Sequence, residues 1–140
     1  MRKTIVLDSN LVVSAFLNPK GAAAQALTIG IAHFELACAK ETLAELRDVL
    51  SHDKFDKYLS KTERAERLDA YSQNVVFFNV LLEVTDCKDP KDNKFLALAI
   101  TAQAKVIVSG DKRDLLSMNP CRGIEIIGLR QFIDSYERYL

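Results

Sequence analysis

Four acidic residues stand out by type and setting: Asp8, Glu45, Asp92 and Asp111. Asp8 ends the short apolar run Ile5-Val6-Leu7, and Asp111 follows Val106-Ile107-Val108 through Ser109-Gly110. Both are expected beyond the carboxyl ends of buried strands, where open parallel sheets build their functional crevice. An aspartate that opens a helix also serves as an N-cap, and that reading stands beside the functional one for each. Asp92 shares a helical stripe with Leu96 and Ala99 on a segment that is apolar nearly all round, which predicts a partly buried carboxylate. A capping box from Asp89 to Asp92 accounts well for Asp89, but a solvated acid would serve as well at the far position. On the segment from Glu41 to Leu50, Leu43, Leu46, Val49 and Leu50 mark the inward side. Glu45 lies on its shoulder, while Glu41 and Asp48 point roughly opposite.

Acids gathered in one crevice repel one another unless their pKa values rise or a cation sits between them. Oxygen donors without histidine or thiolate suit a hard ion, Mg²⁺ or Mn²⁺. One such ion, or two about 4 Å apart, can activate water, polarise phosphorus and stabilise a departing oxygen, which is phosphodiester hydrolysis in form. Lys88, Lys91 and Lys94 lie beside the proposed site, and Lys112 and Arg113 follow Asp111. They could hold a nucleic-acid backbone or simply be solvated. The run Lys54, Lys57, Lys61, Arg64 and Arg67 alternates with acids and reads as a salt-bridged surface helix. His33 and His52 have no serine or cysteine arranged around them, so no nucleophilic triad is indicated. Cys38, Cys87 and Cys121 are odd in number and widely spaced, which fits reduced thiols rather than a disulfide framework or a zinc site.

The elements that must position these residues alternate between strand and helix. Strands are expected at Ile5–Leu7, Phe34–Cys38, Val75–Phe78, Leu81–Val84, Val106–Val108 and Ile124–Ile127. Helices are expected over 11–17, 22–31, 41–50, 53–74, from Pro90 to about Ala104, as a turn after Asp111, and over 129–139. Strands this short and apolar are buried on both faces, so the fold class is α/β, with a mostly parallel sheet covered by helices on both sides. The apolar residues of the last helix, Leu129, Phe132, Ile133, Tyr136 and Tyr139, belong either to the core or to a partner interface.

With 140 residues, 49% hydrophobic and 27% charged, the chain has the profile of a single globular domain spanning 1–140. The 19 basic and 19 acidic residues cancel, so any grip on nucleic acid must be local or carried by metal. No window approaches the roughly 18 apolar residues of a membrane span, and the basic start is too short for a signal peptide, which makes a cytoplasmic location the expectation.

Asp8-Ser9-Asn10 after a first strand, Glu45 in Thr-Leu-Ala-Glu-Leu-Arg-Asp-Val-Leu, Asp92 in Asp-Pro-Lys-Asp-Asn-Lys-Phe-Leu-Ala-Leu-Ala, and Asp111 in Val-Ser-Gly-Asp-Lys-Arg-Asp-Leu-Leu together resemble the PIN domain. The likeness covers essentially the whole chain and is to the branch of toxin components of bacterial toxin-antitoxin pairs, similar to VapC-type toxins. It implies a three-layer α/β/α sandwich and an endoribonuclease dependent on one or two Mg²⁺ or Mn²⁺ ions. By motif position, Asp8, Glu45, Asp92 and Asp111 would be the catalytic, metal-binding acids. Asn10 and Ser109 would be polar supports, and Asp114 either a further acid or the end of a capping box. An RNA substrate, a small antitoxin protein and a homodimer are implied in the same way. Rival readings are a PIN-like module that only binds RNA or a partner, and a phosphatase of the haloacid dehalogenase type. The latter needs an aspartate where this chain has Asn10.

Overall fold

The computed structural model describes residues 2–110 and 113–140. Five short strands, β1 (Thr4–Leu7), β2 (Glu35–Cys38), β3 (Val75–Phe77), β4 (Val106–Ser109) and β5 (Glu125–Gly128), form one sheet in the order β3-β2-β1-β4-β5. Every pairing is parallel. The helices are α1 (Ser9–Leu17), α2 (Ala22–His33), α3 (Lys40–Leu50), α4 (Lys61–Ser72), α5 (Asn93–Ala102), α6 (Arg113–Leu116) and α7 (Leu129–Ser135).

Residue alternation along the central strands creates the two outer layers. Ile5 and Leu7 of β1 and Val106 and Val108 of β4 pack with Leu11, Phe16, Ala26, Leu46, Leu68 and Phe132 on one face. Val6 and Ile107 turn the other way, against Phe95, Leu96, Leu98, Ala99 and Leu115. The arrangement is therefore a three-layer α/β/α sandwich, as expected. Val106, Ile107 and Val108 are all fully buried, which explains why β4 reads as a continuous apolar run. The inward residues of 129–139 also fill the core: Phe132, Ile133 and Tyr139 are buried.

Several boundaries differ from the sequence-based expectation for physical reasons. The helix expected over 53–74 is broken into a 3-10 turn at Asp53–Phe55 and α4, because Ser60 caps α4 by accepting from the Glu63 N–H at 3.1 Å. Arg64, expected on a solvated face, is instead 1% exposed. Its guanidinium donates to the carbonyls of Leu50 and Leu59 and to Asp56 Oδ1 at 2.8 Å, tying the broken segment to the end of α3. Leu81–Val84 pairs with no strand among the described residues. Val84 is buried there while Leu81 is 85% exposed, so the apolar run covers an edge of the core without joining the sheet. The last helix tightens into a 3-10 turn at Tyr136–Tyr139. At the end of α5, Gln103 adopts a left-handed conformation (φ 55°), and the Ala104 N–H reaches back to Ala99 O at 2.9 Å, stopping the helix before β4.

Candidate metal-binding site

The chain runs outward from β1 through β2 to β3, then returns across the sheet to β4 and β5. The crevice beyond the carboxyl ends of β1 and β4 lies at that reversal. Asp8 sits there, fully buried, at the end of β1 and as the N-cap of α1. Its Oδ1 accepts the Leu11 N–H at 2.8 Å, as a capping aspartate does. Its Oδ2 accepts the Ser109 hydroxyl at 2.6 Å and the Gly110 N–H at 3.2 Å, both from the end of β4. Capping and site-building are therefore one geometry here. Three donors among the described residues fix the carboxylate.

Glu45 approaches the same turn from α3, with its side chain 22% exposed. The hydroxyl of Ser9, next to Asp8, donates to Glu45 Oε2 at 3.5 Å, and Lys94 Nζ lies 3.1 Å from the same oxygen. Glu41 and Asp48 of that helix are exposed, as the helical wheel requires, while Leu43 and Val49 are half-buried rather than fully inside. The start of α3 depends on Thr42, whose hydroxyl donates to Ala39 O and accepts the Ala39 N–H, each at 3.0 Å.

Asp92 is 1% exposed, at the end of the 3-10 turn Pro90–Asp92 that leads into α5. Asp89 caps that turn by accepting the Lys91 N–H at 3.0 Å, which leaves the Asp92 carboxylate without a capping duty. The loop before it is braced twice. Asn93 Oδ1 accepts the Cys87 N–H at 3.0 Å, and Asp86 forms a two-pronged pair with Arg122 at 2.9 and 3.0 Å. Burial among neighbouring carboxylates pushes the Cys87 thiol up to about 11, with burial the larger cause, so this cysteine is protonated at neutral pH.

Asp92 is buried at the start of α5, and the other expected residues fall into three groups. Contacts link Asp8 with Ser109, and Glu45 with Ser9 and Lys94. Asn10 is exposed and its side chain makes no hydrogen bond to a described residue; Lys88 and Lys91 are exposed as well. Asp111 and Lys112, and the side chains of Arg113 and Asp114, lie outside the described residues. Among the described residues, no three of Asp, Glu, His and Cys converge closely enough to hold an ion by themselves. The donors gathered around the β1 and β4 ends are nonetheless all hard oxygens, which suits Mg²⁺ or Mn²⁺ and not a thiolate-seeking metal. The Ser9 and Lys94 contacts of Glu45 were not anticipated from sequence. A serine beside Asp8 and a lysine in the first turn of α5 were the available clues.

Comparison with known proteins agrees with this architecture. Residues 4–113 match the family model described as PIN domain. The uncharacterized protein MJ1680 of Methanocaldococcus jannaschii is 31% identical over 149 aligned residues, covering 97% of this chain and 93% of that one. Among solved structures, VapBC2 from Rickettsia felis, bound to a DNA fragment from their promoter, superposes with a TM-score of 0.62 at 15% identity, covering 89% of this chain and 98% of that chain. DNA-bound VapBC from Salmonella typhimurium also gives a TM-score of 0.62 at 15% identity, with 92% and 99% covered. The two structures share the fold; the family model carries the assignment along the sequence itself, and by it this chain belongs to the PIN-domain family.

Proposed function

We propose that the protein is a Mg²⁺- or Mn²⁺-dependent endoribonuclease and the toxin of a toxin-antitoxin pair. The observation that carries the reading is a fully buried carboxylate, Asp8, held by three donors at the point where the sheet reverses direction. Burying a charge so completely is costly, and a capping aspartate needs no such burial. Asp8, Glu45, Asp92 and Asp111 would hold the ion. When bound, it supplies Lewis acidity at phosphorus and activates water for attack.

The chain's own groups have separate tasks in this scheme. Ser109 and the Gly110 N–H orient Asp8, and Ser9 orients Glu45. Exposed Lys88 and Lys91, with Lys112 and Arg113, which follow Asp111 in the sequence, would steer and seat RNA phosphates. A small antitoxin partner is supported by the shared fold with the VapBC assemblies.

The test is a panel of single-stranded and structured RNAs, incubated with Mn²⁺ or with chelator. Wild type should cut only with metal, and Asp8→Asn should cut on the order of 100-fold more slowly or not at all. Equal cutting by the two proteins would assign the activity to a contaminant. Binding of the ion should also raise the melting temperature of wild type, with a smaller rise in Asp92→Asn.

A further inference from the structure

The basic run at 54–67 is not one charged helix. Lys61 takes up both neighbouring acids, at 2.6 Å from Asp53 Oδ1 and 3.7 Å from Asp56 Oδ2, and the buried Arg64 guanidinium claims Asp56 Oδ1 as well. Lys54 and Lys57 are exposed and form no ion pair among the described residues. The segment that joins α3 to α4 therefore presents two uncompensated ammonium groups. Each lies 5.1 Å from the centroid of the next residue's ring, Lys54 by Phe55 and Lys57 by Tyr58. Tyr58 itself is 61% exposed. The segment is held from beneath: Arg64 donates to the carbonyls of His52 and Leu59, pinning both ends, and the Tyr58 N–H donates to Phe55 O at 2.9 Å.

We infer that Lys54, Lys57 and Tyr58 form a surface for single-stranded RNA, the ring stacking on a base while the two ammonium groups hold phosphates beside it. This rests on the reading of RNA as the substrate and adds to it a contact outside the acids. Cations interleaved with an exposed aromatic ring suit a strand of any sequence, since every base has a flat face and every nucleotide a negative charge. An acidic polypeptide would use the lysines but gain nothing from the ring. Because the charges of the whole chain cancel, cations left uncompensated are the ones able to displace counterions from a nucleic acid. Position agrees as well. Arg64 also donates to the Leu50 carbonyl, so the surface begins where α3 ends, and Leu50 lies about 7.5 Å along that helix from Glu45. A strand leaving Glu45 covers that distance within a few nucleotides.

Fluorescence anisotropy of a labelled single-stranded RNA of about 20 nucleotides, titrated with protein in chelator so that nothing is cut, tests this. Tyr58→Ala should weaken binding by about 5- to 100-fold, whereas Tyr58→Phe should stay within about two-fold of wild type, because stacking needs the ring and not the hydroxyl. Lys54→Gln combined with Lys57→Gln should weaken binding and flatten the slope of log affinity against log salt by about 1.4, roughly 0.7 for each phosphate no longer neutralised. With Mn²⁺ present, Tyr58→Ala and the double lysine variant should raise KM for that RNA and leave kcat unchanged. All three side chains are exposed, so none of these changes removes a core contact, and circular dichroism confirms folding. Wild-type affinity in Tyr58→Ala, or competition by polyglutamate as strong as by unlabelled RNA, would reduce the surface to general charge attraction and overturn the inference. Binding that responds to these variants in a protein that never cuts RNA would leave the surface standing and overturn the nuclease reading instead.

Discussion

Asp8 performs two duties that substitution separates only in part. Replacing it with asparagine keeps an oxygen for the Leu11 N–H but turns an amide nitrogen toward the Gly110 N–H. Ser109 offers a cleaner experiment, because it touches Asp8 and has no cap to maintain. Ser109→Ala should weaken Mn²⁺ binding by about 10- to 100-fold, as loss of a ligand's supporting group does. It should cost only about 1 kcal/mol of stability, measured by urea denaturation without metal. Equal Mn²⁺ affinity in the two proteins would show that Ser109 does not orient a ligand. Much at this scale was legible beforehand: an acid on an otherwise apolar stripe implied that Asp92 is partly buried, and the structure buries it almost completely. Lys94 was not legible in the same way, since a lysine in a first turn looks like any solvated cation until α3 is seen beside it.

Among the elements, the junction between α3 and α4 depends most heavily on one side chain. Arg64 supplies donors to the carbonyls of Leu50 and Leu59 and to Asp56, and without it those groups lose partners in a partly buried setting. Arg64→Met should destabilise the protein by about 2–4 kcal/mol, because it removes several hydrogen bonds at once. Limited proteolysis should then cut first within 52–60, the segment the guanidinium ties down; an unchanged urea midpoint would argue that the carbonyls find other donors. Alternating charge hid this role, since the pattern around Arg64 is that of a solvated helix and only the third dimension closes Leu50 and Leu59 around it. The same limit explains Leu81–Val84. Its composition is that of a strand, but pairing depends on a free sheet edge in register, which no local pattern encodes.

For the molecule as a whole, the buried acid–base groups predict an alkaline limit to stability. Complete burial, and secondarily the charge of Cys38, raise the Tyr71 phenol well above its ordinary value of 10.0. The unfolded chain therefore releases this proton before the folded one does. The Tyr71 contribution is fully present below pH 10.0 and is lost as pH rises beyond it, by up to about 1.4 kcal/mol per pH unit. Tyr71→Phe should remove that part of the decline; urea midpoints compared at pH 8 and pH 11 measure it, and parallel losses in both proteins would exclude Tyr71 as the cause. At this scale the sequence was most informative. Runs such as Val106-Ile107-Val108 can only be strands covered on both faces, and that alone requires helices above and below a parallel sheet.

The contact between Ser109 and Asp8 joins residues 101 positions apart, and β1 has β4 as its neighbour. During synthesis, β1 and α1 leave the ribosome long before the strand that completes their surroundings. A nascent chain therefore carries Asp8 without the hydroxyl and amide that aim it until β4 has emerged. Between the emergence of β1 and that of β4 lies an unfinished interval: a product stalled or truncated before position 109 lacks the hydroxyl and amide that fix Asp8.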